Sequence, residues 1–479
     1  MYTKRFSLIF LILFSLMLIS CGGGDDDSLP DGDDTQVDGD SDTDDTEVEA
    51  EDNDGDMDSS DGDVSENEVE QAVGFKYENC PYEFDPYDIP ERQYTIAPYA
   101  SNPKSDSVTL TWEALDDEMS FILWGKDGKL DTVSCVDTPS KITVDAEDFE
   151  ETHDGWMFRV ELDGLDAQSR YTFTIPKAQI PVPDSGDALM GHMNFEPFTD
   201  GEFASAPLPG ESFTMMIVGD NQGLPSEHAK VTTHMEEHIS DLMLHLGDIV
   251  HNGVISQYRG SYFLLSSHVL PRMASVHIAG NHEGHGPILP YDAFFLPEEQ
   301  DNENRPQTRA FTYDYGHARF FVLDSEFEMG KDSLQLEWLD KQLERTVKED
   351  TDIRYLFCAW HRPTYSISSS RHEGPMEAID EVVKRWKVDV VWTGHDHCYQ
   401  RFDQDGVLYI VTGGAGALLS GLNPDSALPG DNYITGDNSL HILTGEVGYN
   451  SAEFRAIRTK DKVEIDRFTV EAKDRSGLR

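Results

Sequence analysis

Five short apolar runs in the second half of the chain restrict its fold most: Phe213–Val218, Leu242–Leu246, Val276–Ala279, Tyr355–Ala359 and Val388–Trp392. A short apolar run without alternation suits a strand buried on both faces, and such strands belong to sheets covered by other layers. Polar, helix-compatible stretches separate several of these runs. In Ser333–Lys348, for example, Leu334, Leu336, Trp338, Leu339 and Leu343 predict one apolar helix face. Phe311–Tyr315 and Arg319–Asp324, joined around Gly316 and His317, predict a hairpin added to the sheet. Residues 206–479 therefore read as an α/β domain of β layers flanked by helices.

Upstream the period changes. Ser107–Trp112, Met119–Trp124 and Arg170–Ile175 alternate with period two between Gly, Asp and Pro turns. That pattern predicts an all-β sandwich over residues 79–205, with Trp112 and Trp124 in its core. The turn Leu162-Asp-Gly-Leu165 before Tyr171 resembles fibronectin type III modules. Residues 21–78 form an Asp-rich tether with almost no large apolar side chain. Such a segment cannot offset its ordering entropy by burial, so disorder is expected there. Residues 1–20 read as a secretory leader: Lys4 and Arg5 precede the apolar run Phe6–Ile19. The ending Leu18-Ile-Ser-Cys21 resembles the bacterial lipobox, which implies lipidation of Cys21 and anchoring at the cell envelope, on the outer membrane or cell surface. In an oxidising compartment Cys80 and Cys135 could pair, whereas Cys358 and Cys398 read as small buried residues rather than catalytic thiols.

Charge excludes one class of partner. Lys and Arg number 36 against 92 Asp and Glu, a formal net charge of −56. Residues 25–70 hold 23 of those acids, yet the remainder stays strongly acidic. A nucleic acid would meet like charge, so none is expected as partner.

Each of the five apolar runs leads into metal-binding side chains: Gly219-Asp220; Gly247-Asp248, then His251; Gly280-Asn281-His282-Glu283; His361; and Gly394-His395-Asp396-His397. Sites in open α/β sheets form at the carboxyl ends of strands, so these clusters can converge. Carboxylate, amide oxygen and imidazole together suit iron, zinc or manganese.

The order Gly-Asp, Gly-Asp-x-x-x-x-Gly, Gly-Asn-His-Glu, an isolated His and Gly-His-x-His resembles the calcineurin-like metallophosphoesterases. The stretch Gly394-His-Asp-His-Cys-Tyr-Gln-Arg401 resembles the purple acid phosphatase form of that motif, and a preceding fibronectin-like domain is that family's arrangement. The resemblance implies a metallophosphoesterase fold and two divalent metal ions, with Asp248 bridging them. Asp220 and His397 would hold the first ion; Asn281, His361 and His395 would hold the second. Hydroxide generated at the pair would attack a phosphorylated small molecule or other phosphate ester, most readily a monoester. His282 would stabilise the phosphate or protonate the leaving oxygen, and His372 matches a further phosphate-facing histidine. Arg401 reads as a structural partner of the metal loop rather than a phosphate contact.

The chain departs from the family pattern at two positions. The phosphatases carry Tyr three residues after the second Asp, where this chain has His251; many other metallophosphoesterases carry His two residues after the first Asp, where it has Gln222. His251 is therefore expected to complete the first metal site. A neutral imidazole stabilises ferric iron less than a phenolate, which predicts a divalent pair without purple colour. A phosphodiesterase or nucleotidase, and an extracellular binding lipoprotein with a decayed site, are the rival readings. His234-Met-Glu-Glu-His238 matches the His-x-x-Glu-His pattern of inverted zinc peptidases, but its place in the first helix after the first strand speaks against that activity. His245, His268, His277 and His317 lie in or beside apolar elements and read as packed or surface histidines.

Overall fold

The computed structural model describes residues 74–141, 155–180, 200–285, 289–295, 309–369, 377–427 and 430–478. The leader, Cys21, most of the tether and His372 lie outside the described residues.

Strand alternation explains why the five runs are apolar throughout. In Phe213–Val218, Met215 and Ile217 enter one core while Met216 and Val218 enter another. In Tyr355–Ala359, Tyr355, Phe357 and Ala359 share the first core, whereas Leu356 and Cys358 face a third. Successive side chains point to opposite sides, so a strand between two cores carries no polar face. The first core lies between two sheets. The second sits under the helix Pro225–Met235, through Val231 and Met235. The third sits under the helices Leu334–Glu349 and Glu377–Arg385. The result is helices, sheet, sheet, helices, the layered arrangement expected from the sequence.

One of these sheets has seven strands. Its order is Phe311–Tyr315, Ala318–Val322, Tyr355–Ala359, Val390–Thr393, Val407–Thr412, Tyr399–Gln404 and Tyr433–Asp437. The predicted hairpin is its first pair, antiparallel from Phe311 opposite Val322 to Tyr315 opposite Ala318. Helix Leu334–Glu349 starts at Ser333, whose hydroxyl accepts from the Leu336 amide at 3.2 Å. Leu336, Trp338, Leu339 and Leu343 are buried as expected, but Leu334 is 73% exposed. At 100° per residue Leu334 lies about 180° from the line through Leu336, Leu339 and Leu343.

The second sheet crosses the expected domain boundary. Its catalytic-side strands run Glu464–Glu471, Ser451–Arg458, His441–Val447, Phe213–Val218, Leu242–His245 and Ala274–His277. It then continues into Arg92–Ser101, Ser107–Ala114 and Trp156–Asp163, joined in parallel where Ser275 stands opposite Ser101. A separate five-stranded sheet packs over these last strands around Trp112, Trp124, Phe158 and Phe203. Among the described residues up to Ala204, the regular elements are all strands. Both tryptophans are buried, with their indole N–H groups donating to Ser120 and Ser134. Cys80 and Cys135 form a disulfide, and Cys358 and Cys398 are free and buried.

Candidate metal centre

The carboxyl ends of strands from both sheets meet at one place. Asp220 follows Phe213–Val218 and Asp248 follows Leu242–His245, both in the left-handed region at φ 63° and 54°. Neighbouring loops come close to both carboxylates. A Cβ on Gly280 would lie 2.3 Å from Asp248 Oδ1, and one on Gly394 would lie 2.4 Å from Asp220 Oδ2. Glycine is the residue that permits such an approach. Glu283, wholly buried, ties two of the loops together. Its Oε2 accepts from the amides of Asp248 (2.9 Å) and Gly280 (2.6 Å), and its Oε1 from those of Ile249 (2.7 Å) and Val250 (3.3 Å). The sequence contained Glu283 within its motif without revealing this role.

Asp248 lies at the centre of the donor set. Its Oδ2 is 3.1 Å from His361 Nε2 and 3.9 Å from His282 Nε2, and its Oδ1 accepts from the His282 amide at 2.9 Å. Asp220 accepts the His395 amide on both oxygens at 2.9 Å and lies 3.7 Å from His397 Nε2. Asp248, His361 and His395 bring their ligand atoms within 4.8 Å of one another; so do Asp220, Asp248 and His397. Asp248 belongs to both groups, as a bridging carboxylate would.

Backbone carbonyls set the tautomers. His361 Nδ1 lies 2.7 Å from Leu246 O, and His397 Nδ1 lies 2.6 Å from Leu418 O. A carbonyl only accepts, so each Nδ1 carries hydrogen and each Nε2 is turned inward, the orientation that fixes metal-binding imidazoles. His361 Nε2 and His395 Nδ1 stand 3.3 Å apart. Two nitrogens bound at about 2.0–2.1 Å to one tetrahedral cation are separated by roughly that distance. Asn281 Oδ1 is buried with no hydrogen-bond partner, an acceptor left for a cation. These residues fit a pair of divalent ions.

The electrostatics agree. Burial, and then the charge on Asp248, pushes the Asp220 carboxyl well above the usual range despite His361. Burial also acts on Asp248, but His361 and His282 outweigh it and hold that carboxyl below its ordinary value. Burial would lower the His361 imidazole, yet Asp248 and Asp220 raise it to about 10. Thus a proton on His361 supplies positive charge that the carboxylates demand.

The structure does not bring His251 into either group. Its side chain is exposed, its amide donates to Gln257 Oε1, and its ring packs 5.0 Å from that of His282. The buried Gln222 sits in the gap, its Nε2 3.1 Å from Asp248 Oδ2 and 3.2 Å from His397 Nε2, with Oε1 buried and unpartnered. His282 Nδ1 lies 2.8 Å from His251 O, which leaves Nε2 facing Asp248. Arg362, absent from the sequence expectation, reaches His395 Nε2 at 3.2 Å and is held by Glu326 at 2.7 and 3.0 Å. Arg401 pairs with Asp466 at 2.7 and 3.0 Å, so its contact is structural but made to the strand Glu464–Glu471 rather than to the metal loop expected. His245 and His277 stack in the core, with His245 Nε2 2.8 Å from Asn221 Oδ1, beside the Asp220 loop.

Residues 213–399 match the family model described as Calcineurin-like phosphoesterase. Purple acid phosphatase 23 of Arabidopsis thaliana is 23% identical over 55% of this chain and 63% of its own length. The purple acid phosphatase of Glycine max is 30% identical over 31% and 33% respectively. The chain thus matches less than two thirds of the length of these curated relatives. The structure of purple acid phosphatase PPD1 from yellow lupin (Lupinus luteus) seeds superposes with a TM-score of 0.62 at 19% identity, covering 78% of this chain and 74% of that one. The matched segment, residues 213–399, contributes both carboxylates and every imidazole of the centre, so the similarity to calcineurin-like phosphoesterases falls on the residues that build the site.

Proposed function

We propose that this chain hydrolyses phosphate esters, with monoesters the favoured class, at two divalent cations bridged by Asp248. The observation that carries the proposal is the set of inward-facing donors on Asp220, His361, His395 and His397 around Asp248; Asn281, whose neighbours Gly280 and His282 border Asp248, keeps its Oδ1 buried and unpartnered. Asp220, His397 and Gln222 would hold the first ion, and Asn281, His361 and His395 the second. Bound there, the cations would polarise phosphoryl oxygens and bring the pKa of water toward neutrality. His282 is placed for proton transfer: with Nδ1 donating to His251 O, Nε2 is the ring atom that would hand a proton to a leaving oxygen. His251 acts through His282 by packing on its ring rather than as a ligand. No tyrosine stands beside the centre at residue 251, so iron would lack a phenolate ligand there and the divalent pair stays colourless.

We further read residues 79–205 as the fibronectin type III-like partner domain, and residues 1–21 as a leader ending in a lipidated cysteine that tethers the enzyme to the envelope. Detergent partitioning of the wild-type chain, lost in Cys21→Ser, tests the anchor. The function is tested by reconstituting the metal-free protein with Zn²⁺, Mn²⁺ or Fe²⁺ and comparing aryl monoester with aryl diester phosphates. Metal-dependent monoester turnover, abolished in Asp248→Asn, is expected. Faster diester turnover would favour the phosphodiesterase reading, and no turnover with any pair would favour a surface binding protein.

A further inference from the structure

A second group of ligand-type side chains lies away from the metal centre. Helix Pro225–Met235 begins just after the Asp220 loop and spans eleven residues. A rise of about 1.5 Å per residue puts its far end roughly 15 Å away along its axis. There the helix tightens into the turn Glu236–His238, which brings His238 back beside His234 with ring centroids 5.2 Å apart and planes at 80°. The ligand atoms of His234, Glu237 and His238 all lie within 4.8 Å of one another. His234 is wholly buried, and its Nε2 has no hydrogen-bond partner. Its Nδ1 is 3.3 Å from Thr459 Oγ1, so the ring is held at one nitrogen and unsatisfied at the other. A buried imidazole nitrogen without a partner is uncommon in a settled core.

We propose that His234, Glu237 and His238 bind one further divalent cation of the zinc type, separate from the binuclear centre, which staples the last turn of this helix to the Glu236–His238 turn that follows it. Two imidazoles and a carboxylate are a zinc donor set, and histidines one helical turn apart reach a common ion. Burial lowers the pKa of both histidines, His234 to about 4, so both rings are neutral at pH 7 as ligation requires. Lys462 is the built-in competitor. Its Nζ lies 3.0 Å from Glu237 Oε1 and supplies the positive charge that the carboxylate otherwise takes from the ion. Both members of that pair are exposed enough to separate without disturbing the core. The His-x-x-Glu-His pattern thus serves a structural ion, with Glu237 as ligand rather than as a catalytic base.

The test counts zinc per chain by elemental analysis after the full chain is saturated with Zn²⁺ and desalted. Wild type should hold one equivalent more than His238→Ala and Glu237→Gln, whose altered side chains lie outside the core. Phosphatase activity should be unchanged in both variants. Lys462→Ala should retain the extra equivalent at a lower free Zn²⁺ concentration. Because the readout is a difference of one ion, it is independent of how the binuclear centre loads. Equal zinc content in wild type and both variants would overturn the proposal, as would a loss of all bound zinc in either folded variant.

Discussion

Replacing Glu283 with glutamine isolates the contact that holds the centre open for metal. The side chain keeps its shape, but one oxygen becomes an NH₂ group facing two backbone N–H donors. If the amide nitrogen takes the Oε2 position, the Asp248 and Gly280 donors, now at 2.9 and 2.6 Å, lose their acceptor. If it takes the other, the Ile249 and Val250 donors do. Either way two buried N–H groups are stranded, at about 1–3 kcal/mol each. Allowing for relaxation, roughly 3 kcal/mol is expected, a factor of about a hundred. The loss falls on the Asp248 loop, whose left-handed turn the carboxylate fastens, so it should appear as weakened metal binding of about 10- to 100-fold. Burial and the charge on Asp248 push the Glu283 carboxyl up to about 7, against the amides of Gly280 and Val250 that lower it. The measurement therefore belongs at pH 8, where the wild-type group is ionised. Competition with a chelator of known affinity gives the metal constant, and circular dichroism checks that the fold survives. Metal affinity within about twofold of wild type would refute the view that Glu283 fastens this loop.

Metal affinity should also depend on pH. His361 rises to about 10 in the metal-free site and is protonated at neutrality, so an incoming cation must expel that proton. Affinity should climb about tenfold per pH unit from pH 6 to 8 through this group alone; a flat chelator-competition profile would contradict it. Gln222→Ala should lower the occupancy of one of the two ions, whereas His251→Ala should leave metal content intact and reduce kcat, as elemental analysis with steady-state kinetics would show. Breaking the Cys80–Cys135 disulfide by serine substitution opens a loop of 55 residues and should lower the denaturation free energy of the N-terminal sheets by about 2–4 kcal/mol without changing metal content.

The donor types were legible in the sequence because strands buried on both faces must stop where polar side chains start. Asp220, Asp248, Asn281, His361, His395 and His397 all follow apolar runs, and all but Asn281 bring a ligand atom into one of two groups that share Asp248. The helix after Ser333, the hairpin around Gly316 and the tryptophan core were readable for the same reason: periodicity and turn residues are local properties. Side-chain direction across loops is not local. That His251 turns outward while Gln222 fills the gap depends on the left-handed turn at Asp248 and on Gln257 binding the His251 amide. The partition of the strands between two sheets, and the ladder that carries one of them past residue 205 into the sandwich, likewise rest on pairings between distant segments. By itself, then, the sequence determined which atoms are available to bind metal and where each strand ends. Tertiary structure alone decided which of them share a cation, because ligation depends on separations of a few ångströms that packing between remote loops sets.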